Sequence, residues 1–283
     1  MKEFISIITP AYNSARWIKQ TISSVLAQNY THFEWIIVND GSNDETQDII
    51  KNIKDSRIIL INQKNKGEAE ARNTGIRHAK GSLITFIDSD DLWKPTFLSR
   101  LSAVFQDPFI KICWCHSILF YDEINYHKPQ PWTNIQATGN LWWDTLLDAK
   151  LLMGNFIVRK EIIEKTGYFN PYLKVGTDRD FQLRMLEIIY SDSTNKSYLV
   201  PLQLFLYRSR ANSAVNNVDF TLATEWDMMQ KHLEYPGVPD FIRRRGYSFL
   251  AFKMATVAFF GKHDLGLALK WYVKAFRKYV SRK

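Results

Sequence analysis

In the stretch LITFIDSDDLWKP, three carboxylates, Asp88, Asp90 and Asp91, stand within four residues directly after the apolar run Leu83 to Ile87. Like charges packed this closely repel, so a positive partner is the natural complement of such a cluster. Carboxylate oxygens favour hard divalent cations such as Mg²⁺ and Mn²⁺. With Asp88 and Asp90 on either side of Ser89 in one turn, both could converge on a cation and on a nearby ribose or phosphate. The alternative is a solvated turn in which Asp90 or Asp91 caps a helix over Leu92 to Phe105. Spacing alone leaves both open.

The elements that would position these acids alternate in type. Strands are expected in EFISIITP, FEWIIVND, RIILIN and SLITFID, because each is a short, nearly continuous apolar run. Between them lie helical segments: ARWIKQTISSVLAQ, a helix opened by SNDETQDII with Ser42 or Asn43 as cap, and GEAEARNTGIRHAK. Strands apolar on both faces that alternate with helices predict a doubly wound, mostly parallel α/β sheet. Ligands of such sheets bind at the carboxyl ends of the strands. Polar residues gather there: Thr9 to Asn13, Asn39 to Asp44, Asn65 to Arg72 and Asp88 to Asp91. None of these groups contains a Gly-x-Gly-x-x-Gly or a Gly-Lys-Ser/Thr loop, which argues against a dinucleotide enzyme or a P-loop ATPase.

Beyond Lys94 the pattern is mixed. A helix is expected at TFLSRLSAVF, a long strand from Ile110 to Tyr121, a helix over residues 177 to 190, strands broken by Pro201 in KSYLVPLQLFLYRSR, and helices after Val218. Cys113 and Cys115 are two apart in strand context and read as buried, reduced thiols. No apolar segment of signal-peptide form opens the chain, which predicts a cytoplasmic protein. The net charge of +8 is uneven: residues 236 to 283 hold eleven Lys and Arg against Asp240 and Asp264, a net of +9, leaving −1 for the first 235 residues.

Four segments in order, SIITPAYNSARWIKQTISSVLAQNY, WIIVNDGSNDET, NKGEAEARNTGI and FIDSDD, resemble the nucleotide-binding half of the inverting GT-A-fold glycosyltransferases of family 2, over residues 4 to about 100. The resemblance implies a GT-A catalytic domain over residues 1–217, with residues 1–100 binding nucleotide and 101–217 binding acceptor, followed by a helical basic region, 218–283. It places Pro10, Ala11 and Tyr12 beside the nucleobase and Asp40 on the uracil N3–H. Gly67 would let backbone approach the donor, and Arg72 would lie near the diphosphate or base. Asp88 and Ser89 would lie at the ribose or metal, and Asp90 on the Mn²⁺ or Mg²⁺ that clasps the diphosphate. From their residue types, Asp40 could equally be a turn former and Arg72 an i,i+4 partner of Glu68.

The resemblance continues in VGTDRDFQLRM, where Asp178 becomes the candidate general base and Asp180, Phe181 and Arg184 match the family pattern, while Thr177 and Arg179 depart from it. Asp178 could also be a first-turn acid favourable to the helix dipole. In LFLYRSRANSA, Arg210 takes the place of a family His; it could grip phosphate through two donors but could not ligate a cation. The implied reaction moves a sugar from a UDP-sugar to a hydroxyl of a glycan or lipid-linked saccharide in bacterial surface polysaccharide or glycoconjugate synthesis. The departures keep a non-catalytic nucleotide-sugar-binding subunit as the alternative. Trp132, Trp142, Trp143 and Tyr168 are candidates to stack on sugars.

On a helical wheel, residues 264 to 280 put Leu265, Leu269, Tyr272, Val273, Phe276, Tyr279 and Val280 on one face and Lys270, Lys274, Arg277 and Lys278 opposite. Such a helix could lie on an anionic membrane surface, making the protein peripheral on the inner face of the cell membrane, or pack its apolar face on the catalytic domain. The cations are confined to the tail and no nucleic-acid module is present, so no nucleic-acid partner is expected.

Overall fold

The β-branched and aromatic runs form strands where their apolar character demands burial on both faces. A computed structural model describes residues 2–120, 127–129, 140–147, 151–173, 176–209, 218–261 and 263–280. The chain forms two compact units. The first comprises Met1–Asn134, Lys150–Pro171 and Arg184–Arg210; the second comprises Ile135–Ala149, Tyr172–Leu183 and Ala211–Lys283. The boundary read at residue 217 follows chain order, whereas each unit is assembled from separated segments.

In the first unit, β1 (Ile5–Ala11), β2 (Phe33–Asn39), β3 (Ile58–Asn62) and β4 (Leu83–Phe86) lie parallel in the order β3-β2-β1-β4. They are joined through α1 (Ile18–Leu26), α2 (Thr46–Lys51) and α3 (Glu68–His78). Every residue of β1, β2 and β4 is buried, while β3 at the edge is only half-buried. Burying each Ile or Val is worth roughly 1.5–3 kcal/mol, so these strands anchor the loops at their ends. The sheet continues as β8 (Phe156–Arg159), β6 (Ile110–Phe120), β9 (Lys196–Arg208) and β5 (Leu92–Trp93), with β7 (His127–Pro129) paired to β6. β8 runs antiparallel to both β4 and β6, and β9 parallel to β6. This mixed, mostly parallel sheet flanked by helices has the form that the resemblance to GT-A-fold enzymes implies.

Three local expectations are corrected. Residues 92–93 are a strand paired with Leu206 and Phe205, and the helix that follows, α4, starts only at Phe97 (Phe97–Ser102), so neither Asp90 nor Asp91 caps it. Pro201 does not break the strand: β9 runs through it because Pro201 and Leu202 occupy a bulge between the pairs Val200–Cys115 and Gln203–His116, where the missing N–H costs no ladder bond. Ser42 and Asn43 do not cap α2; Asp44 Oδ1 accepts from Thr46 N instead (3.0 Å). The two thiols of β6 are fully buried as expected.

The second unit contains α5 (Leu141–Leu146), the opening turns of α7 (Thr177–Tyr190), α8 (Val218–Leu233), α9 (Asp240–Thr256) and α10 (Leu265–Val280); the intervening α6 (Lys160–Thr166) belongs to the first. A π-helical turn, Val257–Gly261, follows α9. Among the described residues, no helix is long and apolar enough to cross a membrane.

Candidate active site

Parallel strands deliver their carboxyl ends, and the N-termini of the helices that follow, to one edge of the sheet. Pro10 and Ala11 finish β1 as buried residues and Tyr12 emerges half-exposed. The next residues are zipped to the β2–α2 loop. Asn13 N donates to Ser42 Oγ (3.0 Å), Asn43 N to Asn13 Oδ1 (2.8 Å), Ser14 N to Thr46 Oγ1 (2.7 Å) and Ala15 N to Asp44 Oδ2 (3.1 Å). Asn13 adopts a left-handed φ of 48°, which Asn tolerates through its short polar side chain. Burial alone would raise the Asp44 carboxyl, but the Thr46 hydroxyl and the N–H groups of Ala15 and Thr46 hold it below its ordinary value.

Asp40 is buried and organises the third loop. Its Oδ1 accepts from Gln63 Nε2 (2.7 Å) and Lys66 N (2.9 Å), and its Oδ2 from Gly67 N (2.8 Å). These three bonds use most of the roughly four acceptor sites of a carboxylate, so Asp40 is above all the clamp that fastens the start of α3. Gly67, which caps that helix, has φ 88° and ψ 162°, a conformation natural only to glycine.

Arg72 is fully buried on the first turns of α3. It pairs with Glu68 one turn back, as its spacing allows, and Nη2 also donates to Asp88 Oδ1 (2.8 Å). Its guanidinium lies 5.5 Å from the centre of the Phe169 ring. Arg72 therefore holds the first acid of the cluster from beneath. Asp88 stays partly accessible, its side chain 28% exposed. Ser89 shares a hydrogen bond with Ser14 (Oγ to Oγ, 2.6 Å), which ties the acidic turn to the β1 loop.

The third carboxylate is structural. Asp91 is buried, and its Oδ1 accepts from Arg208 N (2.8 Å). Burial first, then the negative charges of Asp90 and Asp88, push its carboxyl well above the usual carboxylate range. Arg208, at the end of β9, also donates from Nε to Asp90 O (2.7 Å) and from Nη2 to Gln20 Oε1 (2.6 Å), and stacks over Phe120. Sequence reasoning passed over Arg208. The only signal was the Tyr-Arg pair before Arg210, and nothing in it names a partner more than a hundred residues away. Gln63 and Ser14 were missed for the same reason.

The first unit therefore brings together Pro10, Ala11, Tyr12, Asp40, Gly67, Arg72, Asp88, Ser89 and Asp90. Asp178 belongs to the second unit, where it opens α7 and accepts from Thr177 Oγ1 (3.2 Å). Gly176 precedes it with φ 76°, and Asp180 N donates to Gly176 O (2.9 Å). Asp180 faces the buried His232 of α8 (Oδ1 to Nε2, 3.4 Å), and Arg179 donates to Thr145 O (3.0 Å). Arg210 and Trp132 lie outside the described residues. Trp142 is buried edge-on to Tyr235 and Trp143 meets Phe241, so both serve packing in the second unit. Tyr168 is exposed beneath Arg77 in the last turn of α3, the end of that helix remote from Gly67.

The sequence model described as glycosyl transferase family 2 matches residues 6–167, more than half of the chain. The chain belongs to glycosyl transferase family 2. This family 2 chain is 51% identical over 99 residues to the UDP-Glc:alpha-D-GlcNAc-diphosphoundecaprenol beta-1,3-glucosyltransferase WfaP of Escherichia coli, a match covering 35% of this chain and 39% of the relative. The aligned part is thus well under half the length of that protein. Among solved structures, S. aureus TarS 1-349 in complex with UDP superposes with a TM-score of 0.71 at 18% identity, covering 100% of this chain and 82% of that one. The mannosyltransferase PcManGT from Pyrobaculum calidifontis, in complex with GDP-Man and Mn²⁺, gives 0.66 at 17% identity, covering 98% and 76%. These two likenesses establish the fold that the family 2 motifs predicted.

Proposed function

We propose that this chain is a metal-dependent, inverting glycosyltransferase that moves a sugar from a UDP-sugar to a hydroxyl of a glycan or lipid-linked saccharide in bacterial surface polysaccharide or glycoconjugate synthesis. The observation that carries the reading is the division of labour in the acidic turn. Arg72 steadies Asp88, and Arg208 takes Asp91 out of play. At the carboxyl end of a parallel strand in a family 2 chain, the turn then leaves Asp88 partly accessible beside the buried Asp90. The donor and acceptor classes are supported by the E. coli relative, a UDP-Glc:alpha-D-GlcNAc-diphosphoundecaprenol glucosyltransferase, and the base by the UDP complex of TarS.

The residues fit a hard divalent ion. Among the described residues, no group of three or more His, Cys, Asp or Glu is arranged to hold a metal. Two neighbouring carboxylates with substrate phosphates completing the shell is the usual Mg²⁺ arrangement. Burial first, and then the charges of Asp90 and Asp88, raise the carboxyl of Asp91 beside them. Asp90, with Asp88, would hold Mn²⁺ or Mg²⁺, the ion of the mannosyltransferase complex being Mn²⁺. When bound, the ion would neutralise charge developing on the departing diphosphate.

The remaining work falls to the chain itself. Pro10, Ala11 and Tyr12 border the base, and the acceptor site left on Asp40 takes the uracil N3–H. The glycine backbone at Gly67 lets the donor approach the start of α3. Arg210 grips the diphosphate through two donors. The acceptor oxygen attacks the anomeric carbon from the face opposite UDP, forming the new C–O bond as the bond to the diphosphate oxygen breaks, and Asp178 takes the acceptor's proton. Inversion follows from that single displacement.

A screen of UDP-, GDP-, dTDP- and CMP-sugars by thermal shift with Mn²⁺, followed by a UDP-release assay with glycan and lipid-linked acceptors, tests the reading. Stabilisation by a UDP-sugar together with UDP release is expected. Binding without release to any acceptor or to water would instead identify a non-catalytic nucleotide-sugar-binding subunit, the reading that Thr177, Arg179 and Arg210 would favour.

A further inference from the structure

Helix α10 does not use its apolar stripe for packing. Its inward flank is Leu267, Ala268, Trp271 and Lys274. Ala268 is buried with Ala255 and Ala258, and Leu267 and Trp271 pack on that cluster. Lys274 Nζ lies 3.9 Å from the Trp226 ring centre and 4.4 Å from that of Trp271, so this cation belongs to the packed flank. At about 100° per residue, Leu265, Leu269, Tyr272, Val273 and Phe276 fall on a different flank. All five are exposed, from 47% at Tyr272 to 68% at Phe276. Within the second unit the helix packs through its other side, where small Ala residues let it lie close.

The patch extends onto α9. Phe252, also exposed, meets Tyr272 edge-on with ring centres 6.1 Å apart, and Phe259 is exposed one turn beyond that helix. Arg245, exposed, precedes Phe252 by seven residues and so shares its face. Lys270 and Arg277, both exposed and seven apart, border the stripe of α10 on the side next to Val273.

We infer that this face docks on an anionic lipid interface, with Leu265, Leu269, Phe276 and Phe252 entering the boundary between headgroups and acyl chains and Lys270, Arg277 and Arg245 meeting the lipid phosphates. Scattered apolar residues are ordinary on a surface, but a contiguous patch edged by cations marks an interaction site. Charge decides the occupant. Residues 236–283 carry +9 with only Asp240 and Asp264 as acids, so a second copy placed on this face would set like charge against like. Anionic headgroups supply the opposite sign, and the attraction adds up over the cations near the surface. A stripe running from Leu265 to Phe276 fits a helix lying in the interface. The inference stands apart from the sugar-transfer reading, since neither the patch nor its test involves the acidic turn.

Flotation of the full chain with phosphatidylcholine vesicles, with and without phosphatidylglycerol, tests it. The chain is expected to float with the phosphatidylglycerol vesicles at low salt and to stay down with phosphatidylcholine alone. Leu269→Glu with Phe276→Glu should lower the partition by at least about tenfold. Lys270→Glu with Arg277→Glu should abolish the preference for phosphatidylglycerol. These side chains are exposed, so unchanged thermal melts are expected; should the acids unfold α10, Leu269→Ser with Phe276→Ser carries the same expectation. No flotation with phosphatidylglycerol, or equal flotation of the glutamate pair, would overturn the proposal. So would a dimer in sedimentation equilibrium that Phe276→Glu disperses, because the face would then belong to a second copy.

Discussion

At the edge of the first unit, the backbone N–H groups of Asn13, Ser14, Ala15, Asn43, Lys66 and Gly67 are all taken by side chains of neighbouring loops, and that of Thr46 by Asp44 of its own loop. On α10 of the second unit, five large apolar side chains face solvent. The first region is satisfied from within, and the second is left for something outside the unit. Loops tied to each other by short hydrogen bonds hold carboxylates in place, as a site for a charged ligand requires. A helix anchored through alanines and one tryptophan flank keeps its greasy side available.

The comparison breaks first at the acidic turn. Asp90→Asn should lower transfer by at least about a thousandfold, because stabilisation of the leaving charge is worth several kcal/mol. Calorimetric binding of UDP with Mn²⁺ should fall in parallel, and undiminished binding would detach the acids from any cation. Asp178→Asn should cost about 10² to 10⁴ in transfer while UDP binding persists. A variant that transfers at the normal rate would remove Asp178 from the chemistry.

Smaller effects sharpen the same contrast. Arg208→Ala strips a buried guanidinium from Asp90 O and Gln20, and should cost about 2–4 kcal/mol of stability in urea unfolding. A loss of a few tenths would mean that Arg208 does not brace the turn. Gly67→Ala meets open space but an unfavourable φ, so a penalty of about 1–3 kcal/mol and a raised donor KM are expected. Unchanged stability would show the loop adapting.

The smallest effect lies in the core of the first unit. Burial pushes the Cys115 thiol up to about 12, and burial together with Cys115 raises Cys113. Neither should react with a thiol reagent at pH 8 until the chain unfolds. An unfolded thiol ionises near pH 8.5, before the folded one, so the stability these groups contribute is complete below that value and declines as pH rises through it. Rapid labelling of the native chain would show that β6 is not sealed.

How much was legible depended on how local the cause was. The four parallel strands and α7 were readable because apolar runs and helical spacing are properties of neighbouring residues. Asp88, Ser89 and Asp90 were readable because the strand before them is so plainly buried. The helix expected from Leu92 failed because pairing with β9 claimed Leu92 and Trp93. The break at Pro201 failed because a bulge absorbed the proline. The wheel grouped Leu265, Leu269, Tyr272, Val273 and Phe276 on one face, but it could not say which flank would be covered or that Lys270 and Arg277 would border the stripe rather than oppose it.

The amino-acid sequence by itself therefore determined the sheet of the first unit, the family and the acids offered at its strand ends, since burial pattern and motif order are written along the chain. Only the tertiary structure decided which donors hold each of those acids, and that Asp88 alone of the acidic turn stays partly accessible. Asp40 accepts from the N–H of Gly67 and Asp91 from that of Arg208, residues 27 and 117 positions away. A buried carboxylate must find donors wherever the fold brings them, and no spacing rule reaches that far.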